Sequence, residues 1–243
     1  MYLRLLRLHV SEDRLEDLQR FYQERVVPVL RSARGCLYAS LLQPGAPGGV
    51  TVSLTIWRNA QCVREYENGP LFAELVAQSS PISRSASGAS PASRAAAASA
   101  EGYDLLQDAP SALPASLISP HLHVRVVNLR VQEGKSAHLA DHYRNDVAPA
   151  LMALRGCVGA FLAEADGRPR QALSVTFWER DEDAIRYELS GAFDSLTAKL
   201  QDTLSNSSLW KQILGAASED PQVTSGDLRV ERFTLVAGAL FQP

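Results

Sequence analysis

The residues best suited to chemistry fall into two sets with one spacing. Ser53, Thr55 and Trp57 alternate along one face of a short apolar run, and Ser174, Thr176 and Trp178 repeat the pattern. Hydroxyls beside an indole can orient an aromatic compound by hydrogen bond and by stacking. The same triplet also serves as a packed interface with satisfied hydroxyls. Arg4 and Arg125 stand between apolar neighbours. A guanidinium there anchors an anion or pairs with a carboxylate, and the expected use is a pair across an interface between copies. Tyr66-Glu67 and Tyr187-Glu188 are also shared. Each offers a phenol to a pocket, or a half-buried Tyr beside a surface Glu.

Histidine is uneven. His9 stands alone in the first half, while His121, His123, His138 and His142 crowd the second. His138 and His142 are one helical turn apart and His121 and His123 share a strand face, a spacing open to metal. Solvated or singly bonded histidines are the plainer expectation, and no metal site is assigned. His142 replaces Phe21 near the apolar face of a helix, where an imidazole could act as a general base near neutral pH. Cys36, Cys62 and Cys157 form no disulfide framework and suggest a reducing compartment. Cys36 and Cys157 read as small buried hydrophobes. The sequence has no Gly-rich phosphate loop, Cys-x-x-Cys pair or Gly-x-Ser-x-Gly elbow.

These residues recur because the chain is written twice. Arg34-Gly35-Cys36 returns as Arg155-Gly156-Cys157, and the same offset carries Tyr22 to Tyr143, Pro28 to Pro149 and Phe72 to Phe193. Residues 2–78 laid on 123–199 without gaps give 22 identities in 77 pairs, too many for accident. The period is that of a whole domain, far beyond the ~20–50 residues of solenoid repeats. Each copy reads as strand (2–9, 123–130), amphipathic helix, two strands, helical segments (about 59–78 and 180–204) and a last strand (about 101–107 and 228–237). That order, βαββαβ, is the ferredoxin-like unit. Leu15, Leu18, Tyr22, Val26 and Leu30 fall on one helix face, with Ser11 as its expected cap. Pro28 and Pro149 should bend or shorten the last turns, and Gly35 and Gly156 suit C-caps. In the third strand Val52, Leu54 and Ile56 oppose Thr51, Ser53, Thr55 and Trp57. Residues 79–100, rich in Ser and Ala, suggest a mobile linker or a weak helix at Ala95–Ala98. Leu209–Leu214 suggests a true helix.

The order of these features resembles the antibiotic biosynthesis monooxygenase family of the dimeric α/β-barrel superfamily. The resemblance rests on Pro28-Val29-Leu30 with Gly35 and Pro149-Ala150-Leu151 with Gly156, on the Ser-x-Thr-x-Trp strand, and on the acidic Tyr-containing helix followed by Phe. It covers about residues 1–107 and 121–237. It implies an α+β fold in which two tandem ferredoxin-like units pack as a pseudo-dimeric barrel, with a further homodimer compatible. The expected organisation is a first domain over 1–110, a linker over 111–120 and a second domain over 121–243. The family holds cofactor-free oxygenases of aromatic compounds and haem-degrading enzymes. Quinol-oxidising members carry Asn four residues before the strand Trp, where this chain has Ser53 and Ser174. Haem-degrading members use a first-strand Asn, matched by Asn128 but not by Arg7, with a later Trp and His that are missing here.

The first of three readings open under the resemblance is a cofactor-independent monooxygenase, or a related enzyme, of a small aromatic or quinol-like compound. The second copy is the expected site, with His142 or Tyr187 moving a proton and Trp178 stacking the substrate. Asn128, Ser174 and Arg125 would bind it there, with Trp57, Ser53 and Tyr66 as counterparts in the first copy. Two alternatives stand beside this: a binding module for an apolar molecule or haem, and an interaction protein with a degenerate site. The formal net charge of −3 gives no footprint for nucleic acid or an anionic membrane. No stretch reaches the ~18 apolar residues of a membrane span, and a cytoplasmic protein is expected.

Overall fold

The structure is a computed structural model that describes residues 1–46, 48–79, 82, 98–109, 113–168, 170–200, 202–205, 224–225 and 228–241. It forms two compact units, Met1–Asp104 with Leu235–Pro243, and Leu105–Thr234. Each is an α+β ferredoxin-like fold.

In the first unit β1 (Tyr2–Leu8) leads through two short helices, α1 (Leu15–Phe21) and α2 (Val27–Ser32), to β2 (Cys36–Pro44) and β3 (Thr51–Trp57). Helices α3 (Ala60–Glu67) and α4 (Pro70–Ser79) precede β4 (Ala98–Ala109). The sheet order is β2-β3-β1-β4, with β2 also pairing the final strand of the chain. All pairs of β1 with β3, β1 with β4 and β2 with β3 are antiparallel, and Arg4 stands opposite Thr55 on one side and Gly102 on the other. From Leu235 onward the chain belongs to this unit: Phe241 N–H donates to Leu37 O at 2.9 Å, and Ala237, Ala239 and Phe241 join its core.

The second unit repeats the plan with β5 (His123–Arg130), α5 (Ser136–His142), α6 (Ala148–Met152), β6 (Cys157–Ala165), β7 (Gln171–Trp178), α7 (Asp181–Leu189) and α8 (Ala192–Ala198). Short β8 (Thr224–Ser225) and long β9 (Leu228–Leu240) follow, and the order is β6-β7-β5-β9-β8. A 3-10 turn, Ala115–Ile118, with buried Leu117, occupies the stretch before β5. No helix among the described residues is long and apolar enough to cross a membrane.

Strand alternation sorts the side chains as the third-strand pattern predicts. Leu3 and Leu5 of β1 with Val52, Leu54 and Ile56 of β3 are buried on one face, while Arg4, Ser53 and Thr55 are buried on the other. Burying each such Leu or Ile contributes about 1.5–3 kcal/mol. The first helix departs from a simple bent helix. A π-helical turn, Tyr22–Val26, separates α1 from α2, and Val27 N–H donates to Tyr22 O. Its copy is Tyr143–Val147, closed by Ala148 N–H to Tyr143 O. The cause is Pro28 and Pro149, which have no N–H and whose rings would strike the carbonyl four residues back in an α-helix. One extra residue in the turn relieves that contact.

Ser11 makes no side-chain cap, contrary to expectation; its carbonyl instead accepts from Arg14 N–H at 2.9 Å. Gly35 and Gly156 adopt φ of +80°, and their carbonyls accept from Arg58 and Glu179 N–H at 2.8 and 2.7 Å. They thus tie the helix exit to the end of the third strand. Ala98, expected at the end of a weak helix, opens β4, while Ala95–Ala97 and the expected helix at Leu209–Leu214 lie outside the described residues.

Candidate functional site

The helix-facing side of the first unit's sheet does not close completely on its helices. A cavity of about 680 Å³, its open mouth included, remains between β1, β3, the first helix and α3–α4. Arg4, Leu6 and Leu8 of β1 and Ser53 and Thr55 of β3 form its floor, and Tyr22 and Leu75 are among its helical walls. Its aromatic side is a ladder: Tyr66 lies 5.2 Å from Trp57 and 5.2 Å from Phe72 between ring centroids. Such spacings are those of attractive ring pairs.

Few polar groups face this cavity, and most are spoken for. Tyr22 OH and Ser53 Oγ share a hydrogen bond of 3.1 Å, and Trp57 Nε1 donates to Thr55 Oγ1 at 2.8 Å. Arg4, 4% exposed, donates from Nε to Glu67 Oε1 at 2.7 Å, with its guanidinium 5.5 Å from the centre of Phe72. Arg4 Nη2 is buried with no hydrogen-bond partner among the described residues. Burial pushes the Tyr66 phenol up to about 12, with Arg4 opposing. Burial raises Tyr22 as well, against the Ser53 hydrogen bond. At neutral pH both phenols are therefore protonated donors, not bases.

The second unit has the same parts in a smaller space, about 430 Å³. Tyr187 stacks on Trp178 at 5.2 Å and meets Phe193 at 5.6 Å. Tyr143 OH and Ser174 Oγ lie 3.2 Å apart, and Trp178 Nε1 donates to Thr176 Oγ1 at 2.9 Å. Arg125 donates to Glu188 Oε1 at 2.6 Å, but here Arg232 takes the other carboxylate oxygen, also at 2.6 Å. Burial raises the Glu188 carboxyl, Arg125 and Arg232 together outweigh it, and the group sits below the ordinary carboxylate value. Burial raises Tyr187, with Arg125 opposing.

The residues singled out in the sequence divide between these cavities and other places. Arg125, Ser174 and Tyr187 line the second cavity, and Ser53 and Tyr66 the first. Trp57 and Trp178 are fully buried behind the tyrosines, each with its indole N–H spent on a threonine. They back the wall, and Tyr66 and Tyr187 are the rings presented. Asn128 lies between Val127 and Leu129, which line the second cavity, so alternation turns it to the opposite sheet face. His142 does not line the cavity. It is the half-buried last residue of α5, with Nδ1 3.2 Å from Asp146 and Nε2 3.1 Å from His138.

The carboxylates paired with Arg4 and Arg125 are Glu67 and Glu188 of the same copy, not groups across an interface. The Tyr-Glu dipeptides thus supply the ion pair as well as the ring, a role their equal offset from each arginine could have signalled. His123 Nδ1 lies 3.2 Å from Asp181 Oδ1, and burial pushes its imidazole down against the attraction of that carboxylate. Cys36 and Cys157 are buried free thiols pushed up to about 12 by burial. Among the described residues neither cavity is lined by histidine or cysteine, and tyrosine is the one axial-ligand type of haem iron that lines both. Among the described residues no three His, Cys, Asp or Glu side chains converge as a metal site.

Fold and site together define a tandem ferredoxin-like protein with an apolar, ring-walled cavity in each unit. The profile of the antibiotic biosynthesis monooxygenase family matches residues 1–78 and 122–196, and the chain belongs to that family. The whole chain is similar in structure to a candidate monooxygenase of Lactobacillus acidophilus NCFM, with a TM-score of 0.66 and 8% identity over 99% of each chain. A candidate monooxygenase of Fusobacterium nucleatum subsp. nucleatum ATCC 25586 gives 0.67 and 7% identity over 98% of this chain and 94% of the other. An anthrone oxidase-like protein gives 0.60 and 9% over 100% and 93%. No curated protein sequence matches the chain. At these identities the likeness is one of fold.

Proposed function

We propose that the protein is a cofactor-independent monooxygenase of small aromatic, quinol-like or anthrone-like compounds, and that the reaction takes place in the first unit's cavity. The observation that carries this reading is the cavity itself: the larger of the two, walled by Tyr66, Phe72 and aliphatic side chains, in a chain of a monooxygenase family. A flat, electron-rich ring fits such a wall, and the Tyr22–Ser53 hydroxyl pair offers one hydrogen bond to orient it. For an anthrone-like substrate the reaction balances as a methylene plus O2 giving a carbonyl plus water. The carbon loses two hydrogens and gains one oxygen atom, and the second oxygen atom is reduced to water.

The first step is loss of a proton from the substrate. The cavity phenols are protonated at neutral pH, and His142 lies elsewhere. The proton therefore leaves to water at the mouth, and the chain's residues bind and orient the anion. The test is oxygen uptake and product mass under 18O2 with a panel of anthrones and quinols. One labelled oxygen per product supports the reaction, and no uptake above the uncatalysed rate rejects it. The lack of a positioned base favours one second reading, a binding module for the same compounds. Saturable binding without oxygen uptake would select that reading.

A further inference from the structure

We infer that the first unit's cavity takes a ligand with a single anionic oxygen group on an apolar ring body, and that Arg4 Nη2 is its anchor. The inference rests on that cavity being the ligand site. Arg4 is buried and lines the cavity, yet Glu67 engages only its Nε, and Nη2 has no partner among the described residues. A buried guanidinium N–H left unpaired is costly, and a charge-assisted bond to an anionic oxygen relieves the cost most fully.

The second copy shows the alternative. Opposite Arg125 in the sheet stands Arg232, which takes Glu188 Oε2, so that carboxylate is held between two guanidinium groups. No nitrogen of Arg125 is among the described buried atoms without a partner. Opposite Arg4 stands Gly102, where an added Cβ would fall 1.8 Å from Tyr2 Oη. No second cation can be placed there without moving Tyr2. The first copy thus keeps an unpaired guanidinium nitrogen on a residue that lines the cavity with Leu6, Leu8 and Leu75, while the second holds an internal triad. Phe72, over the guanidinium at 5.5 Å, also lines the cavity, and sets an aromatic body beside the anionic head. The ionised acid can be a carboxylate, or the phenolate or enolate of an oxidisable substrate.

Calorimetry on the full chain with 2-naphthoate and its neutral analogue 2-naphthylmethanol tests this. The expected result is naphthoate binding about tenfold or more tighter than the alcohol, the range of a charge-assisted bond. Arg4→Met should abolish the preference while still binding the alcohol, and Arg125→Met should keep it. Equal binding of acid and alcohol by the wild type, or a preference that survives Arg4→Met, overturns the inference. Should Arg4→Met fail to fold, the arginine side-chain 15N resonances of the wild type decide. A naphthoate-induced shift of the signal absent from Arg4→Lys supports the anchor, and no shift overturns it. Oxygen uptake with quinols is measured separately: acid-selective binding without turnover leaves the anchor standing and removes the oxygenase. If neither compound binds, the anchor is overturned and the turnover result alone judges the function.

Discussion

Arg4 and Arg125 occupy one register position in two copies of one fold, and a single neighbour separates their roles. Gly102 beside Arg4 leaves a pair with Glu67; Arg232 beside Arg125 makes a triad with Glu188. The triad gives a pH signature. The folded-state value of Glu188 is depressed, so its contribution is fully present above the ordinary carboxylate value, about 4.3. That contribution is lost as pH falls below this value and through the depressed one. The wild type should exceed Glu188→Gln in melting temperature at pH 6–7, and the gap should close in the acid range below about pH 4. A gap that stays constant to pH 3 would show that Glu188 is not held as an anion by the two arginines. His142 supplies the complementary test. Since it lines neither cavity, His142→Ala should leave turnover within about twofold of the wild type. Loss of activity in that variant would restore the imidazole as a base.

At the scale of elements, conserved geometry in the two copies comes from backbone constraints. Gly35 and Gly156 sit in the left-handed region, and an added Cβ would come within 2.5 Å of Cys62 Sγ and of Asp183 Oδ2. Gly35→Ala and Gly156→Ala should each cost at least about 1–2 kcal/mol from backbone strain alone, measured by denaturant unfolding. The π-helical turns carry Tyr22 and Tyr143, whose hydroxyls meet Ser53 and Ser174. Pro149→Ala restores an N–H and removes the ring clash, so the turn should relax toward α-helix and loosen the Tyr143–Ser174 contact. Amide exchange over 143–150 would report it. These elements were legible in the sequence in unequal measure. Alternation in 51–57 located the cavity floor, because burial on both faces of a strand still separates hydroxyls from aliphatics. Pro28 announced a disturbance but not its form, since a bend and a π-helical turn both satisfy a missing N–H. Trp57 looked like the presented ring. The strand end puts it behind Tyr66, a tertiary fact outside local pattern. Trp57→Ala should therefore destabilise the fold by about 3–5 kcal/mol, which makes Tyr66→Phe the cleaner probe of the site.

At the scale of the molecule, the internal repeat was readable from one offset, and with it the βαββαβ order. The compact units were not readable as consecutive halves. Leu235–Pro243 belongs with the first unit, where Ala239 and Phe241 pack with Trp57 and Leu30. Apolar alternation in 228–240 marks a strand but not which β2 or β5 it will pair along its length. Deleting 235–243 should consequently lower the stability of the first unit, with loss of ligand binding there. The claim that the first unit's cavity is the oxygenase site is tested most directly by filling each cavity in turn. Leu75 and Leu196 are equivalent, buried, and line the first and second cavities. Product 18O content with an anthrone should be about one atom per molecule in the wild type and in Leu196→Trp, and absent in folded Leu75→Trp. Activity that survives Leu75→Trp and disappears in Leu196→Trp would contradict the account and move the chemistry to the second unit.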